Sequence, residues 1–235
     1  MNKLQDAVLT LYNYDEDPDN TDVYETLVKG VNLLAKLPSI ACYAYQSKVH
    51  YFDRESLFIH YANPQYSIAE NFLSLLRKDQ KFTPKEASLL DTILMLHADH
   101  GGGNNSTFTN VVISSTGTDM YSTVCGGIGS LKGPRHGGAN IKVAEMMDAV
   151  LEETGGYDAD DKKIRQAVNK LMAGELYDGS GLIYGFGHAV YTISDPRAEV
   201  LRSCCMEVAK EQKHTKELDF YMRFERIAKE IMAEV

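Results

Sequence analysis

The sequence predicts an all-α protein, and three observations carry that prediction. Two helix starts are spelled out in capping residues: Thr83-Pro84-Lys85-Glu86 offers a cap hydroxyl, a proline at the first helical position and a glutamate three after the cap, and Ser67 with Glu70 repeats the pair. Apolar residues then recur at intervals of three and four along most of the chain, the spacing of one helix face. No two β-branched runs are joined by a hairpin turn.

Taken in order, residues Val23 to Leu37 read as an amphipathic helix closed by Pro38, which lacks the N–H that a continuing helix needs. Ser67 opens a helix through Phe72, Leu75 and Leu76. Thr83 opens another through Leu89, Leu90, Ile93, Leu94 and Leu96, which runs towards His97 and His100. Tyr121 to Leu131 is small and apolar with Gly126, Gly127 and Gly129, and is either a loop or a tightly packed helix. An exposed helical glycine costs about 1 kcal/mol, so a helix with a close neighbour is preferred. Helical periodicity resumes from Ala139 to Glu153 through Val143, Met146, Met147, Val150 and Leu151. Asp160 to Leu171 follows, with acids first and Lys170 late to match the helix dipole. Asp195-Pro196-Arg197 opens a helix through Val200, Leu201 and Met206, and Leu218 to Val235 supplies the last. No internal repeat occurs, and the one biased tract is the acidic turn Asp15–Asp22.

At 235 residues the chain can bury one large core or two modest ones. Its 44% hydrophobic and 24% charged residues suit a soluble globular protein, and no apolar run approaches the roughly 18 residues of a membrane span. The N-terminus turns acidic where a secretory peptide would be apolar, which points to the cytoplasm. Cys42, Cys125, Cys204 and Cys205 form no CxxC pair, so buried reduced thiols are expected rather than disulfides. A net charge of −9 argues against nucleic acid but not against a small anion held by local cations.

Three histidines stand beside glycine: His100 in HADHGGGNNS, His136 in LKGPRHGGAN and His188 in YGFGHAVYTISDPRA. Singly, each reads as a structural ring, and each glycine run as a turn. His97 and His100 share a helix face, yet no third ligand at a fitting spacing completes a metal set, so no metal is expected. GGGNNS lacks the phosphate-loop pattern and no strand precedes it. Together, however, three ionisable rings placed where backbone can approach a ligand point to a site. A neutral imidazole can hydrogen-bond a carbonyl oxygen as it becomes an enol or alkoxide and can exchange a proton near neutral pH. Two such groups suit carbon–carbon bond formation between carbonyl compounds. Arg197, at a helix start capped by Asp195, offers a planar fork to a carboxylate, which makes a keto acid the expected substrate.

The three motifs, in this order, resemble those of citrate synthases. The 36 residues from His100 to His136 and the nine from His188 to Arg197 match the family's spacing. The resemblance implies a citrate-synthase-like all-α fold, with residues 1–137 as part of the large helical domain and 138–235 as most of the small, CoA-side domain. His136 would hold the acetyl-CoA thioester oxygen as it becomes an enol, and His188 would hydrogen-bond and protonate the oxaloacetate carbonyl. His100, Asn104 and Arg197 would bind oxaloacetate, and His100, His136, His188 and Arg197 would converge on one cleft between the helical regions. The implied reaction is condensation of acetyl-CoA with oxaloacetate and water to citrate and CoA, in the tricarboxylic acid cycle. CoA would be substrate and product rather than a bound cofactor, and the protein a homo-oligomer, a dimer or larger.

Three departures qualify the match. The family's catalytic aspartate, in an Asp-x-x-Ser-Gly-like motif, and further substrate-binding arginines are not found here, and Asp219 has the wrong context. The chain is therefore expected to be an internal segment lacking both flanks, inactive alone and self-associating through apolar faces left uncovered. Thr192 stands where relatives often carry Arg or Lys for CoA phosphates. The 52 residues from His136 to His188 exceed the usual interval, which the Gly155–Lys163 turn and the Gly174–Gly181 loop would absorb. Two alternatives stay open: 2-methylcitrate synthase, whose pocket differs by about one methylene worth about 1–3 kcal/mol, and a non-catalytic binding module of the same ancestry.

Overall fold

The computed structural model describes residues 1–98, 103–187 and 195–234. Of these, 69% are helical and none lies in a strand, as the periodicity predicts. The chain divides into two compact units, Met1–His136 and Gly137–Val235.

The first unit contains α1 (Asn2–Thr10), a 3₁₀ turn (Leu11–Tyr14), α2 (Val23–Phe52), α3 (Ile68–Leu76), α4 (Pro84–Ala98), α5 (Asn105–Ser114) and α6 (Met120–Leu131). The capping signals act as read. Ser67 accepts from the Glu70 N–H at 3.2 Å while the Ser67 N–H reaches the Glu70 carboxylate at 2.8 Å. Thr83 and Glu86 exchange the same two bonds at 3.2 and 2.7 Å. Glu86 also takes a two-pronged ion pair from Arg77, 2.7 and 3.2 Å, which with its bond from Thr83 holds its carboxyl down to about 2.

One boundary departs from the sequence reading. Pro38 does not close a helix at Leu37. It lies buried inside α2, which continues to Phe52. A proline forfeits the bond to the carbonyl four residues back and costs about 3 kcal/mol or more. The residues beyond it offset that loss: Cys42, Gln46 and Val49 continue a buried stripe. Gln46 Nε2 donates to the Leu76 carbonyl at 2.9 Å and Cys42 Sγ to that of Phe72 at 3.5 Å, joining this half of α2 to α3. The four cysteines are free, but Cys42 alone is fully buried, with its thiol pushed up to about 11 by that burial.

Helices α1 and α5 had no sequence signal in the periodicity. The first lacks a side-chain cap and buries Val8 alone. The second buries none of its residues and follows a glycine run. Helix α6 is the tightly packed glycine helix expected. A Cβ on Gly126 would lie 2.2 Å from Ile113 Cδ1, and one on Gly127 would lie 2.4 Å from Asn110 Oδ1, both on α5.

The second unit contains α7 (Ala139–Thr154), α8 (Asp161–Met172), α9 (Pro196–Gln212) and α10 (Thr215–Glu234). Its core is made by Met146 and Val150 of α7, Ile164 and Val168 of α8, and Phe220 and Ile227 of α10. Gly155, in the left-handed region at φ 84°, ends α7, and the Gly156 N–H returns to the Leu151 carbonyl at 2.9 Å. Asp160 caps α8 through the Lys163 N–H at 2.9 Å. Helix α10 starts at Thr215, not Leu218, because its first turn is polar and invisible to apolar periodicity: Glu217 there accepts from His214 at 2.9 Å.

Candidate active site

In the first unit the site begins with the glycine face of α6. Gly126 and Gly127 let α5 approach closely, so that Ser106, in the first turn of α5, reaches the Gly127 carbonyl at 3.0 Å. The side chain of Asn104 caps that turn, accepting from the N–H groups of Ser106 at 3.0 Å and Thr107 at 3.2 Å. Beyond α6 the chain turns back, with Gly133 N–H on the Ser130 carbonyl at 3.2 Å and His136 N–H on that of Gly133 at 3.0 Å. Asn105 Nδ2 donates to Ser130 Oγ at 2.6 Å, tying the start of α5 to the end of α6. The result is a half-buried His136 ring whose Nε2 lies 3.0 Å from Ser106 Oγ.

That contact restricts the ring. Ser106 has a single hydroxyl proton and two acceptors beside it, the Gly127 carbonyl and His136 Nε2. When the proton points at Nε2, the neutral ring carries its own proton on Nδ1 and presents a donor. When it points at Gly127, Nε2 must be the protonated nitrogen. The two arrangements exclude one another, so Ser106 selects which face of the imidazole His136 offers.

In the second unit Arg197 stands in the first turn of α9. Asp195 caps that helix through the Arg197 N–H at 2.9 Å and also takes the arginine's Nε at 3.0 Å and Nη2 at 2.7 Å. The guanidinium is thereby held in one plane by its own cap. Nearby, a cavity of about 1030 Å³ is lined by Met147, Tyr184, Phe186, Arg202, Tyr221 and Phe224 among others.

Of the residues singled out from sequence, His136 and Asn104 are thus brought together in the first unit through Ser106, while Arg197 lies in the second. His100 and His188 lie outside the described residues, as does Thr192. Ser106 was missed by the sequence reading. Its signal was the Asn104 cap, which places Ser106 on the first turn. His97, at the end of α4, is directed at the Ile93 carbonyl at 2.7 Å. Among the described residues no three His, Cys, Asp or Glu side chains are grouped to hold a metal ion, and no helix is long and apolar enough to cross a membrane.

Comparison with known proteins agrees with these motifs. The family model described as citrate synthase, C-terminal domain, matches residues 1–235. The citrate synthase of Deinococcus radiodurans is 42% identical over 164 residues, covering 70% of this chain and 39% of that protein. That of Corynebacterium glutamicum is 34% identical over 233 residues, covering 97% of this chain and 50% of that protein. The crystal structure of citrate synthase from Pyrobaculum aerophilum superposes with a TM-score of 0.71 at 28% identity, covering 95% of this chain and 53% of that one. The chain spans about half the length, or less, of these relatives. Sequence, fold and the order of its histidine motifs agree that the chain belongs to the citrate synthase family.

Proposed function

We propose that the protein serves the citrate synthase reaction, condensing acetyl-CoA with oxaloacetate and water to give citrate and CoA. The observation that carries this reading is the Ser106–His136 contact at 3.0 Å, which lets a neutral ring present Nδ1–H as a fixed donor. In the proposed mechanism, loss of a methyl proton to the base turns acetyl-CoA into an enolate whose oxygen accepts a hydrogen bond from His136. The enolate carbon attacks the oxaloacetate carbonyl carbon, and His188 delivers a proton to the carbonyl oxygen as its π bond breaks. Water then cleaves the resulting thioester, releasing CoA thiol. His100, Asn104 and Arg197 hold oxaloacetate, with Arg197 preset by Asp195. The Asp-x-x-Ser-Gly-like motif that would supply the methyl-proton base is not among these residues, so the 235-residue chain alone is expected to show no turnover. A cytoplasmic homo-oligomer, dimeric or larger, completes the proposal.

The test is thiol release from acetyl-CoA in the presence of oxaloacetate, in the complete gene product and in its His136→Ala variant. A fall of about 10²–10³-fold in kcat is expected for loss of a positioned hydrogen-bond donor to the developing oxygen. Unchanged turnover would remove His136 from the mechanism, and full turnover by the 235-residue chain would show that the base lies within it.

A further inference from the structure

The contact between Ser106 and His136 closes a ring of hydrogen bonds. From Ser130, in the last turn of α6, the chain reaches His136 in two steps: the Gly133 N–H donates to the Ser130 carbonyl at 3.2 Å and the His136 N–H to the Gly133 carbonyl at 3.0 Å. His136 Nε2 then lies 3.0 Å from Ser106 Oγ. Asn105, the residue before Ser106, returns to the start, its Nδ2 donating to Ser130 Oγ at 2.6 Å. Asn105 and Ser106 are the first two residues of α5. Within the turn Lys132, Pro134 and Arg135 are exposed, so it is carried by its two ends.

The two helices are held together differently along their length. Asn110 and Ile113 of α5 lie against Gly127 and Gly126, more than one and more than two turns beyond Asn105, and so fix the middle of the pair. At the end that carries His136 the ties are the Ser106 and Asn105 side chains. The first is conditional: the one hydroxyl proton of Ser106 serves either the Gly127 carbonyl or His136 Nε2, so this tie is released whenever the hydroxyl turns to the ring. Among the described residues the Asn105–Ser130 bond is the side-chain hydrogen bond between α5 and α6 that then remains. Asn105 is exposed, and such a bond contributes little to stability. Alignment is another matter, since a displacement of about 1 Å can cost on the order of 10²-fold in rate.

We propose that Asn105 is a positioning residue: by holding Ser130 it keeps the first turn of α5 at the distance from the His136 turn at which Ser106 bonds Nε2, and so keeps Nδ1–H aimed as a donor. The proposal rests on the catalytic reading of His136. Neighbouring side chains then divide the task, Ser106 choosing the proton's place on the ring and Asn105 keeping Ser106 in reach while it does so.

Asn105→Leu and Ser130→Ala break the bond from its two sides. Ser130→Ala puts the best helix former into the last turn of α6, so its folding is secure. Two-bond ¹H–¹⁵N spectra of the His136 ring, assigned with His136→Gln, report the Nε2 resonance. In both variants it is expected to move towards its position in Ser106→Ala, where the partner is gone. In the complete gene product each variant is expected to lower kcat about tenfold with KM for acetyl-CoA and for oxaloacetate nearly unchanged, because the ring's bond to the developing oxygen acts in the transition state. The double variant falls no further than either single one, and Ser130→Thr, which keeps the hydroxyl, restores both resonance and rate. An Nε2 resonance unmoved in both variants, losses that add in the double variant, or Ser130→Thr behaving like Ser130→Ala would overturn the proposal. Unchanged turnover by His136→Ala in the complete gene product would instead overturn the catalytic reading itself, and is told apart because the Nε2 resonance is read without turnover.

Discussion

Replacing Gly127 by alanine tests whether the closeness of α5 and α6 is what builds the His136 site. The new methyl would stand 2.4 Å from Asn110 Oδ1 and 3.1 Å from both Cγ and Nδ2 of the same side chain. Ordinary contact is about 3.5–4 Å, so the Asn110 amide must rotate or α5 must move out. Overpacking of this kind costs about 1–3 kcal/mol, against about 1 kcal/mol regained from putting alanine in place of a helical glycine. The net expectation is destabilisation by about 1 kcal/mol, a fall of roughly 2–4 °C in the melting temperature. In an Asn110→Ala background the obstacle is gone, and the same change should stabilise by up to about 1 kcal/mol. Thermal unfolding followed by circular dichroism at 222 nm, for the four proteins of this cycle, reads both numbers. If Gly127→Ala stabilises the protein with Asn110 intact, the helices are not in the contact described, and the account of how Ser106 reaches Gly127 falls with it.

Three further outcomes are expected. Because Arg77 holds the Glu86 carboxyl at about 2 in the folded protein, against 4.5 for a free one, its contribution is full above about pH 4.5 and fades as pH falls towards 2. The melting gap between wild type and Glu86→Gln, about 1 kcal/mol for a pair half open to solvent, should therefore close across that window, and a constant gap would refute the pairing. Ser106→Ala, which leaves His136 Nε2 without its partner, should lower kcat of the complete gene product about tenfold, with Ser106→Thr recovering much of it; equal rates in all three would make the contact incidental. Phe220→Ala empties the middle of the second core and should cost about 3–5 kcal/mol, seen as faster amide exchange in α8 with α5 and α6 unchanged; equal loss of protection in both units would show that they do not unfold separately.

How much of this was legible in the sequence follows from what each element is made of. Helices α3, α4, α7, α8 and α9 announced themselves through caps and apolar stripes, both local signals. Pro38 was misread because the gain that carries α2 past it comes from α3, thirty residues away. Helix α5 was missed because it packs on the glycine face of α6, which no window around residue 105 contains. At the site the histidine motifs were plain, and Ser106 closes the first of them, but its contact with His136, 30 residues on, is made only when α5 and α6 pack. The contact of Lys142 with the Asp178 carboxylate at 3.3 Å was equally silent, since it joins α7 to a loop 36 residues further on.

The single proton shared around Ser106 has a consequence for how the site reports its state. An imidazolium carries hydrogen on both nitrogens, so whenever His136 takes up a proton the Ser106 hydroxyl must turn away from it and towards the Gly127 carbonyl. Charging the ring from its Nδ1–H form therefore adds a hydrogen bond to the backbone of α6, and discharging it back to that form withdraws one. The stretching frequency of that one carbonyl, picked out among the ¹³C-labelled glycine carbonyls by its shift in Ser106→Ala, becomes an optical record of this change, readable while substrates come and go.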